Sequence, residues 1–131
     1  MKDTYRVHEE LTDYLQEPKL RELYHTVEKL FLEEDAIGHN WEHVQRDIIN
    51  AVYIGKQEKA DMDIVLPAII LHDIGYITHS KEPEKHALHG AGECYRFLDA
   101  WSLDQKDRIS SCILKHKGKF PGFEHSEPET L

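Results

Sequence analysis

The sequence predicts an all-α fold, a bundle of about six helices around one buried central helix. Three observations carry that expectation. Apolar residues recur at spacings of three and four from Leu11 to Ile113. One run, Ile64 to Leu71, is apolar on every side, so it has no face suited to water. Proline and glycine fall between the periodic segments, at Pro18, Gly38, Gly75, Pro83 and Gly118.

Each element follows in order. Leu11, Tyr14 and Leu15 mark a short amphipathic first helix, and Pro18 punctuates it. Leu20, Leu23, Tyr24, Val27, Leu30 and Phe31 define the second, which Gly38-His39-Asn40 breaks. The third runs from about Trp41 to Lys59 with Val44, Ile48, Ala51, Val52 and Gly55 on its apolar face. The fourth carries the apolar run, capped by Asp61 or Asp63. Pro67 leaves its start open, because proline is tolerated near a helix N-terminus. Gly75 is expected to end it, with residues 77–83 a polar loop. Pro83 suits the first turn of a fifth helix reaching about Trp101. A sixth runs from near Asp104 to Lys117, with Gly118 as its stop. Ser126-Glu127-Pro128-Glu129 then has the form of a capping box; it is either a frayed terminal tail or, the favoured expectation, the start of a helix that continues past Leu131.

Composition bounds the function. The 131 residues make one domain, with 40% apolar and 31% charged residues, as in a globular protein. A formal net charge of -9 argues against a nucleic-acid polymer or an anionic membrane as partner. It leaves room for a small phosphorylated substrate, since a bound cation supplies local positive charge. Cys94 and Cys112 fall on apolar helix positions and read as reduced core thiols. No apolar stretch is long enough to span a bilayer, and Met1 to Tyr5 leads into no signal-peptide core, so the cytoplasm is the expected compartment.

The chemistry centres on His72-Asp73, which closes the apolar run. Two such groups are costly to bury without a partner, and a metal ion is the obvious one. His116 lies in register with Ile109, Cys112 and Ile113. His86 shares a face with Gly90, Cys94 and Phe97, and Gly90, Ala91 and Gly92 are small enough to bring that helix close to the central one. His43 stands at the edge of the third helix's apolar stripe. His89 is rotated off its stripe and is expected to be more exposed, while His8, His25, His79 and His125 read as surface or loop residues. A single inward histidine is most often a core residue with a satisfied hydrogen bond. Three from separate helices beside a His-Asp pair point instead to ligation. A mixed imidazole and carboxylate set suits a divalent first-row metal, and the C-terminus of the central helix adds partial negative charge there.

These blocks resemble the HD-domain superfamily of metal-dependent phosphohydrolases over residues 38–123. They are His39-Asn40-Trp41-Glu42-His43 with Arg46, the apolar run into His72-Asp73-Ile74-Gly75, His86-Ala87-Leu88-His89, and Ile113-Leu114-Lys115-His116. The resemblance implies an HD-type helical bundle occupying residues 1–131. It places His43, His72 and Asp73 in a first metal site and leaves the family's closing aspartate unmatched up to Leu131. His86 and His116 match the extra histidines of two-metal members, in which Asp73 would bridge the ions. The implied cofactor is one or two divalent ions, Fe, Mn, Ni or Zn, with Mg an alternative. The implied activity is hydrolysis of a small phosphate ester such as a nucleotide by a metal-activated hydroxide, with His72 and Asp73 at the catalytic centre. Arg46, His39 and Lys117 are the candidate substrate contacts. Lys81 and Lys119 are alternatives whose ordinary role is solvated surface, and Arg46 equally suits pairing with Asp47 or Asp73. Gly75-Tyr76 departs from the pattern of the cyclic-dinucleotide hydrolases. Two other readings are an HD-type di-iron oxygenase and a metal-binding regulatory module without turnover.

Overall fold

The computed structural model describes residues 9–34 and 41–115. Residues 9–14 form a helical turn that places Leu11 in the core. The main helices are α1 (Pro18–Glu34), α2 (Trp41–Glu58), α3 (Met62–Leu71), the short α4 (Gly75–Thr78), α5 (His86–Glu93) and α6 (Leu103–Leu114). No strand occurs among the described residues. None of their helices is long and apolar enough to cross a membrane. The all-α expectation holds.

Helix α3 is the hub. Every residue from Ile64 to Leu71 is buried, and the helix packs against α1, α2 and α6. Removing all eight side chains from water is the main gain of the fold. Asp61 caps it, its carboxylate accepting from the Asp63 N–H at 3.2 Å. Pro67 lies inside this helix rather than in its first turn. Its ring removes the donor that would have reached the Asp63 carbonyl, but Asp63 is exposed and water can serve that oxygen.

Helix α2 is held at both ends. Trp41 is buried with its ring edge-on to Tyr24 at 5.1 Å and tilted against Phe31 at 6.3 Å. At the other end Lys59 takes a left-handed φ of 56°, and the Ala60 N–H reaches back to the Gly55 carbonyl at 2.9 Å. This is a Schellman-type stop made without glycine.

Two boundaries differ from expectation. Helix α3 ends at Leu71 with His72 as its C-cap, and Gly75 opens α4 instead of stopping α3. A Cβ on Gly75 would lie 2.2 Å from the His86 carbonyl oxygen, so the glycine is required by close approach of two backbones. The fifth helix is composite and stops short of Trp101: a 3-10 turn at Pro83–Lys85, then α5, then a second 3-10 turn at Cys94–Phe97. Helix α6 starts at Leu103, near Asp104 as expected, because Ser102 and Gln105 form a capping box, the Gln105 N–H donating to Ser102 Oγ and the Ser102 N–H to Gln105 Oε1. Gly90 faces Ile113 and the His72 carbonyl, as small residues at a close crossing should, whereas Gly92 faces open space and plays no such part.

Candidate metal centre

Two helices build the site. Anchoring Trp41 on α1 fixes the first turn of α2, and His43 follows two residues later. Asp47 stands one turn further along the same face. Across from them, the end of α3 presents His72 and Asp73, which are 4% and 3% exposed.

The side chains converge. His43 Nε2 is 3.2 Å from Asp47 Oδ2 and 3.6 Å from Asp73 Oδ2. His72 Nε2 is 3.1 Å from Asp47 Oδ2 and 3.3 Å from Asp73 Oδ2. One ligating atom from each of the four lies within 4.8 Å of every other. Bonds of about 2.0–2.2 Å to a shared divalent ion would set neighbouring donors about 3.0–3.5 Å apart; the separations of 3.1, 3.2 and 3.3 Å fall in that range, and the 3.6 Å of His43 to Asp73 lies just outside it. Two imidazole nitrogens and two carboxylates therefore fit a divalent first-row ion both in chemistry and in spacing.

The His72 ring is oriented by its second nitrogen. Nδ1–H donates to the Ile69 carbonyl at 2.5 Å, which turns Nε2 toward the carboxylates. Burial alone would depress this imidazole. The hydrogen bonds to Asp47 and Asp73, the charge of Asp73 and the Ile69 carbonyl overcome it and lift His72 to about 10.

His86 comes to the other oxygen of Asp73. Its Nε2 is 3.9 Å from Asp73 Oδ1, its Nδ1–H donates to the Pro83 carbonyl at 3.1 Å, and its ring stacks on Tyr76 at 4.1 Å. Burial, then the charge of Asp73, raise the Tyr76 phenol above its ordinary value. Beside this stack lies another, His79 on His89, with centroids 3.8 Å apart. His89 Nε2–H donates to Glu82 at 2.9 Å, and that bond with Lys85 holds the Glu82 carboxyl below its usual range. His89 is thus no more exposed than His86, at 20% against 21%, contrary to expectation. Its ring is covered because α4 packs across α5, and the same packing takes His79 out of the solvated loop set.

His43, His72 and Asp73 meet in one cluster, with His86 at its edge. Arg46 and Lys81 are exposed. His39, His116, Lys117 and Lys119, with His8, His125, Gly118 and the segment from Ser126 to Glu129, lie outside the described residues. His25 is exposed beside Glu28. Asp47 was not anticipated as a member of the cluster, although a carboxylate four residues after His43 on a helix was the signal that could have found it. Cys94 is buried and Cys112 partly so, and neither is in a disulfide.

An all-α bundle whose buried hub ends in such a cluster belongs among the helical metal-site domains. The comparison with known families makes the class specific: the model of the HD domain matches residues 40–130, and the chain belongs to the HD-domain family. Its superfamily is one of metal-dependent phosphohydrolases, and HD domains bind divalent metals. The uncharacterized protein YpgQ of Bacillus subtilis (strain 168) is 40% identical over 60 residues, covering 46% of this chain and 29% of that protein. The chain therefore aligns with under a third of that relative's length. No solved structure gives a significant match.

Proposed function

We propose that this chain is the metal-binding domain of a phosphohydrolase that cleaves a small phosphate ester, such as a nucleotide, in the cytoplasm. The observation that carries the reading is the approach of His43 and His72, from two helices, to within 3.6 Å of Asp73. A divalent ion held there would supply Lewis acidity toward a phosphoryl oxygen and make a water molecule acidic near neutral pH. The chain's own residues do the rest. Asp73 lends a buried charge that favours a cation over an anion at the end of α3, where the helix dipole acts in the same sense. The Ile69 carbonyl keeps the His72 ring turned toward the site. Arg46, exposed on the helix that carries His43, is available to a phosphate, and His39 and Lys117 are proposed to share that task. The acidic whole-chain balance favours a small molecule over a polymer.

The test is turnover on a panel of phosphate esters after loading with Mn, Fe, Ni, Zn or Mg. Activity with one of these ions, lost in Asp73→Ala, supports the proposal; full activity in that variant sinks it. His86 near the second oxygen of Asp73 favours one further reading, a two-ion site completed by His86 and His116 with Asp73 as the bridge. Such a site equally serves a di-iron oxygenase. Oxygen consumption by the iron-loaded protein, without phosphate release, would move the assignment there. A metal-dependent rise in melting temperature with neither activity would favour a regulatory module.

A further inference from the structure

We propose that Asp47 is itself a metal ligand, so that α2 contributes two donors, His43 and Asp47, to one divalent ion. The inference rests on the metal-site reading above. Asp47 Oδ2 is nearly equidistant from two ligating nitrogens, 3.2 Å from His43 Nε2 and 3.1 Å from His72 Nε2. His72 Nε2 lies within hydrogen-bond distance of that oxygen. An imidazole nitrogen that binds a cation has no proton to donate. With the ion in place, a nitrogen lone pair and a carboxylate oxygen would therefore face each other at close range. That arrangement is repulsive unless a cation lies between them. Asp47 has two courses: to swing into solvent, for which its 31% side-chain exposure leaves room, or to stay and coordinate. Staying costs little. Asp47 and His43 are one turn apart on a helix anchored at Trp41 and stopped at Lys59, so their mutual spacing is preset. The separations already match neighbouring donors around one ion. A second anionic ligand also offsets the ion's charge in a site whose other wall is buried.

The sign of one change decides between ligand and bystander. If Asp47 is only a neighbour of the two imidazoles, Asp47→Asn leaves the ion's ligands intact, and affinity stays level or rises. If Asp47 is a ligand, affinity falls. Metal-stripped wild type, Asp47→Asn and Asp47→Glu are titrated with Mn²⁺ by calorimetry. The proposal expects saturable binding by wild type and a Kd raised about tenfold or more in D47N, at least the loss typical of an outer-shell partner. Asp47→Glu, which keeps the carboxylate, recovers part of that loss. Unchanged or tighter binding by D47N overturns the proposal, as does a D47E Kd as weak as that of D47N. Absence of Mn²⁺ binding by wild type overturns both this inference and the metal-site reading. Weakened binding by D47N in a wild type that hydrolyses no phosphate ester sustains the inference and counts against the hydrolase alone.

Discussion

Asp73 and His72 occupy the least exposed polar positions described, and each depends on the other. Replacing Asp73 by Ala removes a ligating carboxylate and one of the two acids that the His72 ring approaches. The loss of metal affinity should exceed the roughly 10–100-fold that follows loss of an outer-shell partner. Equilibrium dialysis against Mn²⁺ checks it. The thiols give a second test. Cys94 Sγ–H donates to the Ala91 carbonyl at 3.2 Å, and burial, opposed only in part by Ser110, pushes its pKa up to about 11. At pH 8 it should stay unmodified by a disulfide reagent in the folded protein and react at once in denaturant. Fast labelling of Cys94 in the native state would contradict its placement. At this scale the sequence is informative where burial and polarity conflict. His72-Asp73 is conspicuous because it ends an apolar run. Asp47 is hidden because an aspartate on a helix flank is ordinary, and only the opposing end of α3 gives it a role. His89 misleads because helical register describes one helix and not the α4 turn lying across it.

Elements are set by their ends. Ser102 and Gln105 satisfy donors at the start of α6. Ser102→Ala should lower stability by about 1 kcal/mol in urea denaturation, with Mn²⁺ affinity unchanged. Gly75 is the more consequential position. A methyl group there would meet the His86 backbone, which must shift, and overpacking of this kind costs about 1–3 kcal/mol. Gly75→Ala should therefore lower the urea midpoint and draw His86 away from Asp73. If the protein loads two ions, the second equivalent should be the one lost. The central helix and the stripe of α2 are legible because many residues repeat one pattern. The ends of α3 and α5 are not, because single contacts decide them. Gly75 has the composition of a helix stop, yet it serves a backbone crossing that only the folded chain reveals. Trp101 continues the helical spacing of the fifth segment, but Ser102 claims the next helix start and the chain turns before it.

Across the whole molecule, the site sits where the fold can position it most firmly. Helix α3 is buried along its length, α2 is fixed against α1 through Trp41, and the two meet at the His/Asp cluster. The cluster is thus held by the same packing that stabilises the domain, and metal and fold are linked. An ion that binds only the folded state at 100 times its Kd adds about 2.7 kcal/mol of stability. Adding Mn²⁺ to stripped protein should raise its melting temperature, and a chelator should reverse the rise. All-α architecture and a buried hub are legible from periodicity alone, because both are collective properties. Substrate choice depends on pocket walls, to which no repeating pattern corresponds. The central claim is that His43, His72 and Asp73 hold a divalent ion. Calorimetric titration of Mn²⁺ into stripped wild type and Asp73→Ala tests it most directly. The account predicts saturable binding of at least one equivalent by wild type and none by the variant, whereas equal binding by both, or none by wild type, would contradict it.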